Sequence, residues 1–425
     1  MSITNSLYIG VSGLDAHSDA ISIVGDNIAN ASTVGFKSER ADFADMLGGQ
    51  LDGQNLGGGT SLLAPETIET QGALEQTGNP LDMAISGNGF FVVNGAHDGQ
   101  NGNFYTRDGQ FALDSSGNVV DQNGMKLQGY AIDPTGAVGK TIGNLQLGAR
   151  QSPPVATTDA KMSVNLDSGS AAMTFDPANP STSSNYSTSE TVYDSLGKAH
   201  QANVYFDSNG AGGWTWHAMV DGGDLAGGTK GTPTQIAAGT LTFNSTGALA
   251  AQSTTSSSAS FVGATANQAI NFSYGDDIAS GGTGMAGSTQ YSGASTVTST
   301  DIDGHSAGNL TDISISSDGN VTGTFDNGQK IDIAQVALAT FSNEQGLTRD
   351  GDQLYSESAT SGQALVDAAG TGGRGSISQG ALEQSNVDLG NELVTLIAYQ
   401  RAYEANSKTV TTADQMMADV TNLKQ

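Results

Sequence analysis

The six-residue sequence QGALEQ occurs twice in this chain, at Gln71–Gln76 and again at Gln379–Gln384. A second sequence, TRDG, is also repeated, at Thr106–Gly109 and at Thr348–Gly351. The order is mirrored, because QGALEQ precedes TRDG in the first half of the chain and follows it in the second. This order predicts a chain that runs outward through successive layers and returns through the same layers in reverse. Each inner layer is then built from both arms.

Apolar residues at heptad spacing near both termini predict one amphipathic helix at each end. The first helix is expected to end between Asn30 and Gly35, and the second follows a capping-box-like start at Ser385–Asp388. The N-terminal stripe consists of Leu7, Val11, Leu14, Ile21, Val24 and Ile28, and the C-terminal stripe of Leu389, Leu393, Leu396, Tyr403, Val410, Ala413, Met417 and Val420.

Between the two helices the pattern changes to short strands separated by Asp-Gly, Asn-Gly and Ser-Gly-Asn turns. Stretches rich in Ser, Thr, Gly and Pro, at 150–159 and 278–284, are typical of domain borders. We therefore predict an α+β multidomain protein. Its terminal α-helices pair as a coiled-coil-like inner domain, with mainly antiparallel β domains nested outward.

The predicted domains follow the nested order from the inside outward. They are an inner helical domain (1–30 and 386–425), connecting segments (31–70 and 376–385), a β-rich middle domain (71–147 and 284–375) and an inserted outer β domain (148–283). The glycine-rich sequence GGQLDGQNLGGGTS at 48–61 is predicted to be a flexible connection that holds the helices away from the β body.

Composition and charge exclude several classes of protein. The formal net charge is −28, from 43 acidic and 15 basic residues, which disfavours nucleic acid and anionic membranes as partners. The absence of cysteine removes disulfides, thiol catalysis and cysteine metal sites. The N-terminus has neither the basic nor the apolar region of a cleaved signal peptide, and the longest apolar stretch, around Leu393–Tyr399, is too short to span a bilayer. We expect no nucleic-acid partner and no membrane insertion.

No group of residues predicts a catalytic, cofactor or metal site. The histidines are scattered, without an HExxH motif, at positions His17, His97, His200, His217 and His305. Gly370–Gly375 matches GxGxxG but lacks the flanking strand and helix, which favours a loop. Asp301–Gly304 and Gly281–Gly284 begin like calcium loops and lack the later ligands. Trp214 and Trp216 could stack on a sugar, although core packing explains the same spacing better. We expect no catalytic residue, no cofactor and no metal.

Three motifs resemble those of the bacterial flagellar rod and hook proteins. NIANASTVGFK at Asn27–Lys37 is similar to the N-terminal signature of that family, and the segment Leu393–Met417, which contains YQRAYEANS, is similar to its C-terminal signature. TGNPLDMAISGNGFF at Thr77–Phe91 resembles a strand-rich motif that these axial proteins share. The signature positions carried over are Asn27, Asn30, Thr33, Gly35, Phe36, Lys37, Gln400, Arg401 and Asn406.

The long middle of the chain favours a hook protein over the shorter rod proteins, and Glu190–Phe206 is similar to part of the hook outer domain. The resemblance implies a structural subunit that polymerises into a flexible tubular universal joint, which transmits motor torque from rod to filament. It also implies export without a cleaved signal peptide, through the flagellar type III apparatus, to the extracellular hook of the basal body. The implied partners are further copies of the chain, the rod and hook–filament junction proteins, and the hook cap.

Two other functions remain open: a distal rod protein of the same family, and a secreted β-rich adhesin or fibre. A fibre usually trimerises along one contiguous segment, which paired heptads at both termini do not fit. Because a lone amphipathic helix is marginal in water, we expect both apolar stripes to pack on neighbouring subunits and to be unfolded in the free chain. The alternative is a helical hairpin that is complete within one chain.

Overall fold

The computed structural model describes residues 3–51, 54–133, 136–148 and 151–422. The chain divides into two compact units. The first comprises Met1–Ala149, Thr311–Thr324 and Lys330–Gln425, and the second comprises Arg150–Leu310 and Phe325–Gln329. In chain order, the second unit is inserted into the first. No helix in the described ranges is long and apolar enough to cross a membrane.

The structure contains two long helices, α1 (Ile3–Ala29) and α2 (Leu389–Asn422), and many short strands. In chain order the strands are β1 (Glu39–Arg40), β2 (Phe43–Leu51), β3 (Gln54–Leu62), β4 (Glu66–Thr67), β5 (Leu74–Gln76), β6 (Met83–Ser86), β7 (Phe90–His97), β8 (Gln100–Thr106), β9 (Ala112–Leu113), β10 (Val119–Val120), β11 (Lys126–Ile132), β12 (Val138–Asn144), β13 (Gln151–Ser152), β14 (Asp159–Asn165), β15 (Tyr186–Tyr193), β16 (Ala199–Ser208), β17 (Gly213–Asp221), β18 (Pro233–Phe243), β19 (Leu249–Ser257), β20 (Asn271–Ser273), β21 (Thr296–Ile302), β22 (Gly308–Ile315), β23 (Asn320–Phe325), β24 (Lys330–Thr340), β25 (Thr348–Gly351), β26 (Leu354–Ser356), β27 (Leu365–Ala368), β28 (Ser376–Gln379) and β29 (Ala381–Glu383). Short 3₁₀ turns lie at Gly222–Asp224 and Glu344–Gly346.

The terminal helices pack against each other as an antiparallel pair within one chain. Gly10 lies against Val410 and Gly13 lies against Asn406, so closely that a Cβ at Gly13 would come within 2.6 Å of the Asn406 side-chain nitrogen. The pairing of the terminal helices is confirmed. The structure shows the hairpin within one chain that was the alternative to helices unfolded in the free chain, and small residues such as Gly10 and Gly13 face α2 in it. A search for large apolar residues does not detect such a contact face.

The structure also corrects the prediction that the glycine-rich segment at 48–61 is a flexible connection. Outside residues 52 and 53, which the structure does not describe, it belongs to the antiparallel hairpin β2–β3 rather than to a flexible connection. The Thr60 amide donates a hydrogen bond to Ser12 Oγ on α1 (3.2 Å), and the Phe43 ring lies 5.9 Å from the ring of Tyr399 on α2. Glycine is needed here for contact, since a Cβ at Gly59 would lie 2.0 Å from Ser12 Oγ.

The two QGALEQ copies form the next layer by pairing with each other. In the antiparallel pair β5–β29, Leu74 lies opposite Glu383 and Glu75 lies opposite Leu382. Each copy therefore places its leucine against the glutamate of the other. The following layer pairs β6 with β28, again one strand from each arm. The nested fold predicted by the mirrored repeats is confirmed.

The outer layer of the first unit is a sheet with the strand order β22-β23-β24-β11-β7-β8-β26-β25, in which β7, β8 and β11 come from the outgoing arm. The first TRDG copy begins at the end of β8 and the second copy forms β25, with β26 between them. Phe91, Leu127 and Leu338 are fully buried in the core of this sheet. Each such side chain stabilises the fold by about 1.5–3 kcal/mol.

The second unit has its own core, which lies on a five-stranded antiparallel sheet of β15 to β19 in chain order. Along β16 the burial alternates from residue to residue, which is the pattern of a strand with one face covered. Trp214 and Trp216 lie on adjacent inward positions of β17 and are both buried. They pack in the core and present no platform for a sugar.

The long segment of this unit ends later in the sequence than the predicted domain boundary at residue 283. Strand β21 pairs with β14, and the Thr289 amide donates to the Val164 carbonyl (2.9 Å), so residues 284–310 belong to the second unit. These residues are rich in Ser, Thr and Gly, which resembles a linker in composition. Their place is set by pairing with a strand more than a hundred residues earlier, which local composition cannot reveal.

The remaining motifs have structural roles. Gly370–Gly375 is a loop between β27 and β28, closed by a hydrogen bond from the Gly370 amide to the Gly375 carbonyl (2.9 Å). The Asp303 carboxylate accepts hydrogen bonds from the backbone amides of Thr158 and Asp159. Among the described residues, no group of three or more His, Asp or Glu side chains is arranged to hold a metal ion.

Candidate assembly surface

The helix pair has a buried inner face and an exposed outer surface. Of the N-terminal stripe, Val24 is buried, Leu7, Leu14, Ile21 and Ile28 are half-buried, and Val11 is exposed. Of the C-terminal stripe, Ala413 is buried, Leu396 and Val410 are half-buried, and Leu389, Leu393, Tyr403, Met417 and Val420 are exposed. The buried members stabilise the pair within the chain. For the exposed members, packing between subunits remains a prediction.

Helix α2 exposes further apolar residues that the heptad pattern did not include. Val394 is 68% exposed, Ile397 50% and Met416 53%. Val394 and Ile397 adjoin Leu393, which is 50% exposed, so one side of the first turns of α2 is a continuous apolar surface. Their spacing of three to four residues is itself a helical pattern, although it is out of phase with the C-terminal stripe. We call the exposed apolar residues of α2 the outer helix surface.

A buried group of charged residues connects the segment that follows α1 to the returning arm. The Glu383 carboxylate accepts hydrogen bonds from Lys37 Nζ (2.7 Å) and from the Gly72 amide (2.8 Å), and Arg107 Nη1 lies 3.4 Å from it. Glu383, Lys37 and Arg107 are at most 3% exposed. Burial lowers the pKa of Lys37, and the adjacent Glu383 carboxylate opposes that shift. We call Lys37, Arg107 and Glu383 the interlayer clasp.

Two asparagines extend this connection to the helices. Asn27, which is fully buried, accepts a hydrogen bond from the Glu39 amide (2.9 Å) and donates to the Glu39 carbonyl (2.7 Å) and to Glu392 on α2 (3.1 Å). Asn386 accepts from the Ser38 amide (2.8 Å). Each side-chain amide thus satisfies backbone groups of the segment that follows α1. Asn27 was a predicted signature position, whereas Glu383 and Asn386 were not identified from the sequence.

The turn after α1 contains the next signature residues. Asn30 accepts a hydrogen bond from Thr33 Oγ1 (3.1 Å), which closes the turn. Gly35 has φ of 70°, and a Cβ there would lie 2.7 Å from the backbone nitrogen of Asp108. Only glycine combines this left-handed backbone with such close contact to the first TRDG copy.

The arginines of the two TRDG copies both lie over aromatic rings. Arg107 is 5.2 Å from the centre of the Phe90 ring, and Arg349 is 5.1 Å from the centre of the signature Phe36 ring. Arg349 also forms an ion pair with Glu39. The repeats therefore place one arginine in the buried clasp and the other beside the turn that follows α1.

The C-terminal signature residues lie on different sides of α2. Asn406 packs on Gly13 in the helix pair. Gln400 and Arg401 are exposed, and Arg401 has no ion-pair partner among the described residues. The roles of these residues in the polymer remain predictions.

Asp108, beside the clasp, should make stability depend on pH. Burial raises its pKa to about 6 from the ordinary value near 3.8, so the folded state holds a proton that the unfolded state releases. Stability is therefore lost as the pH rises between these values. We expect Asp108→Asn to be more stable than the wild type at neutral pH. The difference in the free energy of unfolding between this variant and the wild type should widen by about 1 kcal/mol between pH 5 and pH 7.5, measured by urea denaturation. A difference that is constant across this range would contradict the prediction.

Comparison with known proteins first defines the class. The Flagella basal body rod protein family matches residues 7–37, and the Flagellar basal body rod FlgEFG protein C-terminal family matches residues 378–423. Between them, the Flagellar hook protein FlgE/F/G D1 domain matches residues 84–150 and the Flagellar basal body protein FlaE D2 domain matches residues 165–305. These are domains of flagellar axial proteins, in chain order and along both arms.

Full-length relatives then specify the member. The chain is 36% identical to the flagellar hook protein FlgE of Escherichia coli, over 97% of this chain and 98% of that protein. It is 35% identical to FlgE of Salmonella typhimurium, with the same coverage, and 32% identical to FlgE of Borreliella burgdorferi over 99% of each chain. The chain belongs to the flagellar hook protein family, whose members are structural subunits of the hook in the bacterial flagellum.

Proposed function

We propose that this chain polymerises into the tube of the flagellar hook through the outer helix surface. The observation that carries this proposal is the exposure of that surface, with Leu393, Val394 and Ile397 each half exposed or more while α1 and α2 are already paired on their other faces. A continuous exposed apolar surface marks an interaction site. Covering one such side chain contributes about 1.5–3 kcal/mol, so a few of them suffice to drive association.

The second part of the proposal is that the tube acts as a flexible universal joint that transmits torque from rod to filament. The helix pair supplies a continuous inner wall, held to the β layers by the buried clasp. The second unit folds around its own core, with Trp214, Trp216 and Phe206 at its centre. Contacts between polar surfaces of such units are weaker than apolar helix contacts and can change as the tube bends.

Membership of the hook protein family also supports specific partners. We infer that the polymer meets rod proteins at one end and the hook–filament junction at the other. It grows under a hook cap after export through the flagellar type III apparatus. Its role is mechanical, without catalysis or a cofactor, and the alternatives of a distal rod protein or a secreted fibre are disfavoured by the full-length match to hook proteins.

Removing the second unit should leave tube formation intact. Gln151 and Asn309 are direct antiparallel partners in β13 and β22, so a two-residue Asn-Gly turn can replace residues 152–308 without straining the strands. We expect the shortened chain to be exported and to form tubes visible by electron microscopy, with altered bending. Normal export without polymerisation would contradict the proposal that the helices and inner layers build the wall.

A further inference from the structure

The outward side of α1 carries a row of acidic residues, and α1 itself supplies no basic residue to balance them. Asp15, Asp19 and Asp26 are exposed, and residues 3–29 contain neither lysine nor arginine. Asp26 accepts a hydrogen bond from Asn30 (3.0 Å) and lies near Arg349, which itself pairs with Glu39. None of the three carboxylates forms an ion pair of its own within the described residues. Two such rows placed side by side would repel each other.

Helix α2 carries two exposed cations in a chain that is strongly acidic. Arg401 and Lys408 are seven residues apart, so they lie on the same side of the helix, and neither forms an ion pair among the described residues. Glu404 lies between them in sequence and pairs with neither. At about 100° per residue, Arg401 points about 140° away from Asn406, which packs on α1.

The same geometry applies to the acidic row. Asp26 points about 140° away from Gly13, the partner of Asn406 in the helix pair. The acidic and basic rows therefore face away from each other within one chain, and neither can neutralise the other. A second copy of the chain can bring them together.

Symmetry restricts how a second copy can contact this one. All subunits of a helical polymer run in the same direction, so α2 of one copy meets α1 of another in an antiparallel orientation. Among the three acids of α1, only Asp19 and Asp26 are seven residues apart, which matches the spacing of Lys408 and Arg401. One antiparallel register therefore pairs both cations at once.

We propose that Arg401 and Lys408 of one subunit pair with Asp26 and Asp19 of a neighbouring copy. This inference rests on the proposed polymer and adds its partner surface and register. The same register places exposed Val11 opposite exposed Met416. In the helix pair within one chain, Gly13 lies against Asn406, and this register places Asp26 opposite residue 393. The proposed contact between subunits places Asp26 opposite Arg401, which is a displacement of eight residues, or about 12 Å along the helix.

Charge reversal at the Lys408–Asp19 pair tests this inference in the full-length chain. We expect Lys408→Glu, and separately Asp19→Lys, to raise the subunit concentration needed for polymerisation by at least tenfold. Combining the two should restore it to within about threefold of the wild type, because the pair is re-formed with opposite polarity. The matched control combines Lys408→Glu with Asp15→Lys, which adds the same charge one turn away and should not restore assembly.

Far-UV circular dichroism of each soluble subunit checks that the helices are retained. Rescue by Asp15→Lys as good as that by Asp19→Lys, or no loss on reversal, would overturn the proposed register. Tubes that persist in all variants, but are lost when the outer helix surface is made polar, would reject this ion pairing while leaving the proposed function intact. If reversal were rescued only in the combination of Arg401→Glu with Asp26→Lys, the proposed pair of Lys408 with Asp19 would be wrong.

Discussion

Replacing Glu383 by glutamine is expected to destabilise the first unit by about 3–5 kcal/mol. The substitution removes the one carboxylate that Lys37 and Arg107 share, and it leaves two buried cations without that counter-charge. Glu69 lies nearby, and burial raises the pKa of its carboxyl group, so its ionisation can compensate in part. The effect is therefore expected at the lower end of this range, in urea or thermal denaturation of the soluble subunit.

The repeat itself provides a matched control for this prediction. Glu75 occupies the same place in the first QGALEQ copy, with identical neighbours in sequence, but it is exposed. Glu75→Gln should change stability by less than about 0.5 kcal/mol. Equal losses at the two positions would mean that the strand pairing, rather than the buried charges, determines the stability of this layer.

Replacing Leu393 by aspartate is expected to abolish tube formation while leaving the subunit folded. Leu393 is half exposed in the single chain, so a carboxylate there remains hydrated in the free subunit. In the polymer the same carboxylate would be buried against an apolar neighbour, which costs several kcal/mol per contact. Cells with this variant should secrete the protein and remain non-motile, and electron microscopy should show no hooks.

Two comparisons separate assembly from folding. Leu393→Met keeps an apolar side chain of similar volume and should assemble nearly as the wild type does. Val24→Asp, in contrast, places a charge in the buried face of the helix pair and should disturb the helices of the free subunit, measured by circular dichroism. Normal tubes from Leu393→Asp would refute the proposed role of the outer helix surface.

The consequences of local pattern were predictable from the sequence. The helices follow from heptad spacing, and the turns at Asp318-Gly319 and Asn327-Gly328 contain glycines in the left-handed conformation, with φ of 79° and 81°. The mirrored repeats indicated nested layers, because each arm must supply one strand to every layer. The similarity of Asn27–Lys37 and Leu393–Met417 to axial protein signatures indicated the family before any contact was known.

Contacts between distant parts of the chain had no local signal. The close helix contact depends on Gly10 and Gly13, which carry no hydrophobic pattern, and it becomes visible only when Val410 and Asn406 are placed opposite them. Similarly, residues 284–310 resemble a linker until β21 pairs with β14. A small or polar residue acquires its role from the surface that it meets.

The two copies of QGALEQ show where this difference lies. The sequence by itself determined that both copies can form a short strand and that their order is mirrored. Only the tertiary structure decided that Glu383 is buried beside Lys37 and Arg107 while Glu75 faces water. Identical residues have the same local conformational preferences, whereas burial and charge pairing depend on neighbours that the fold brings from hundreds of residues away.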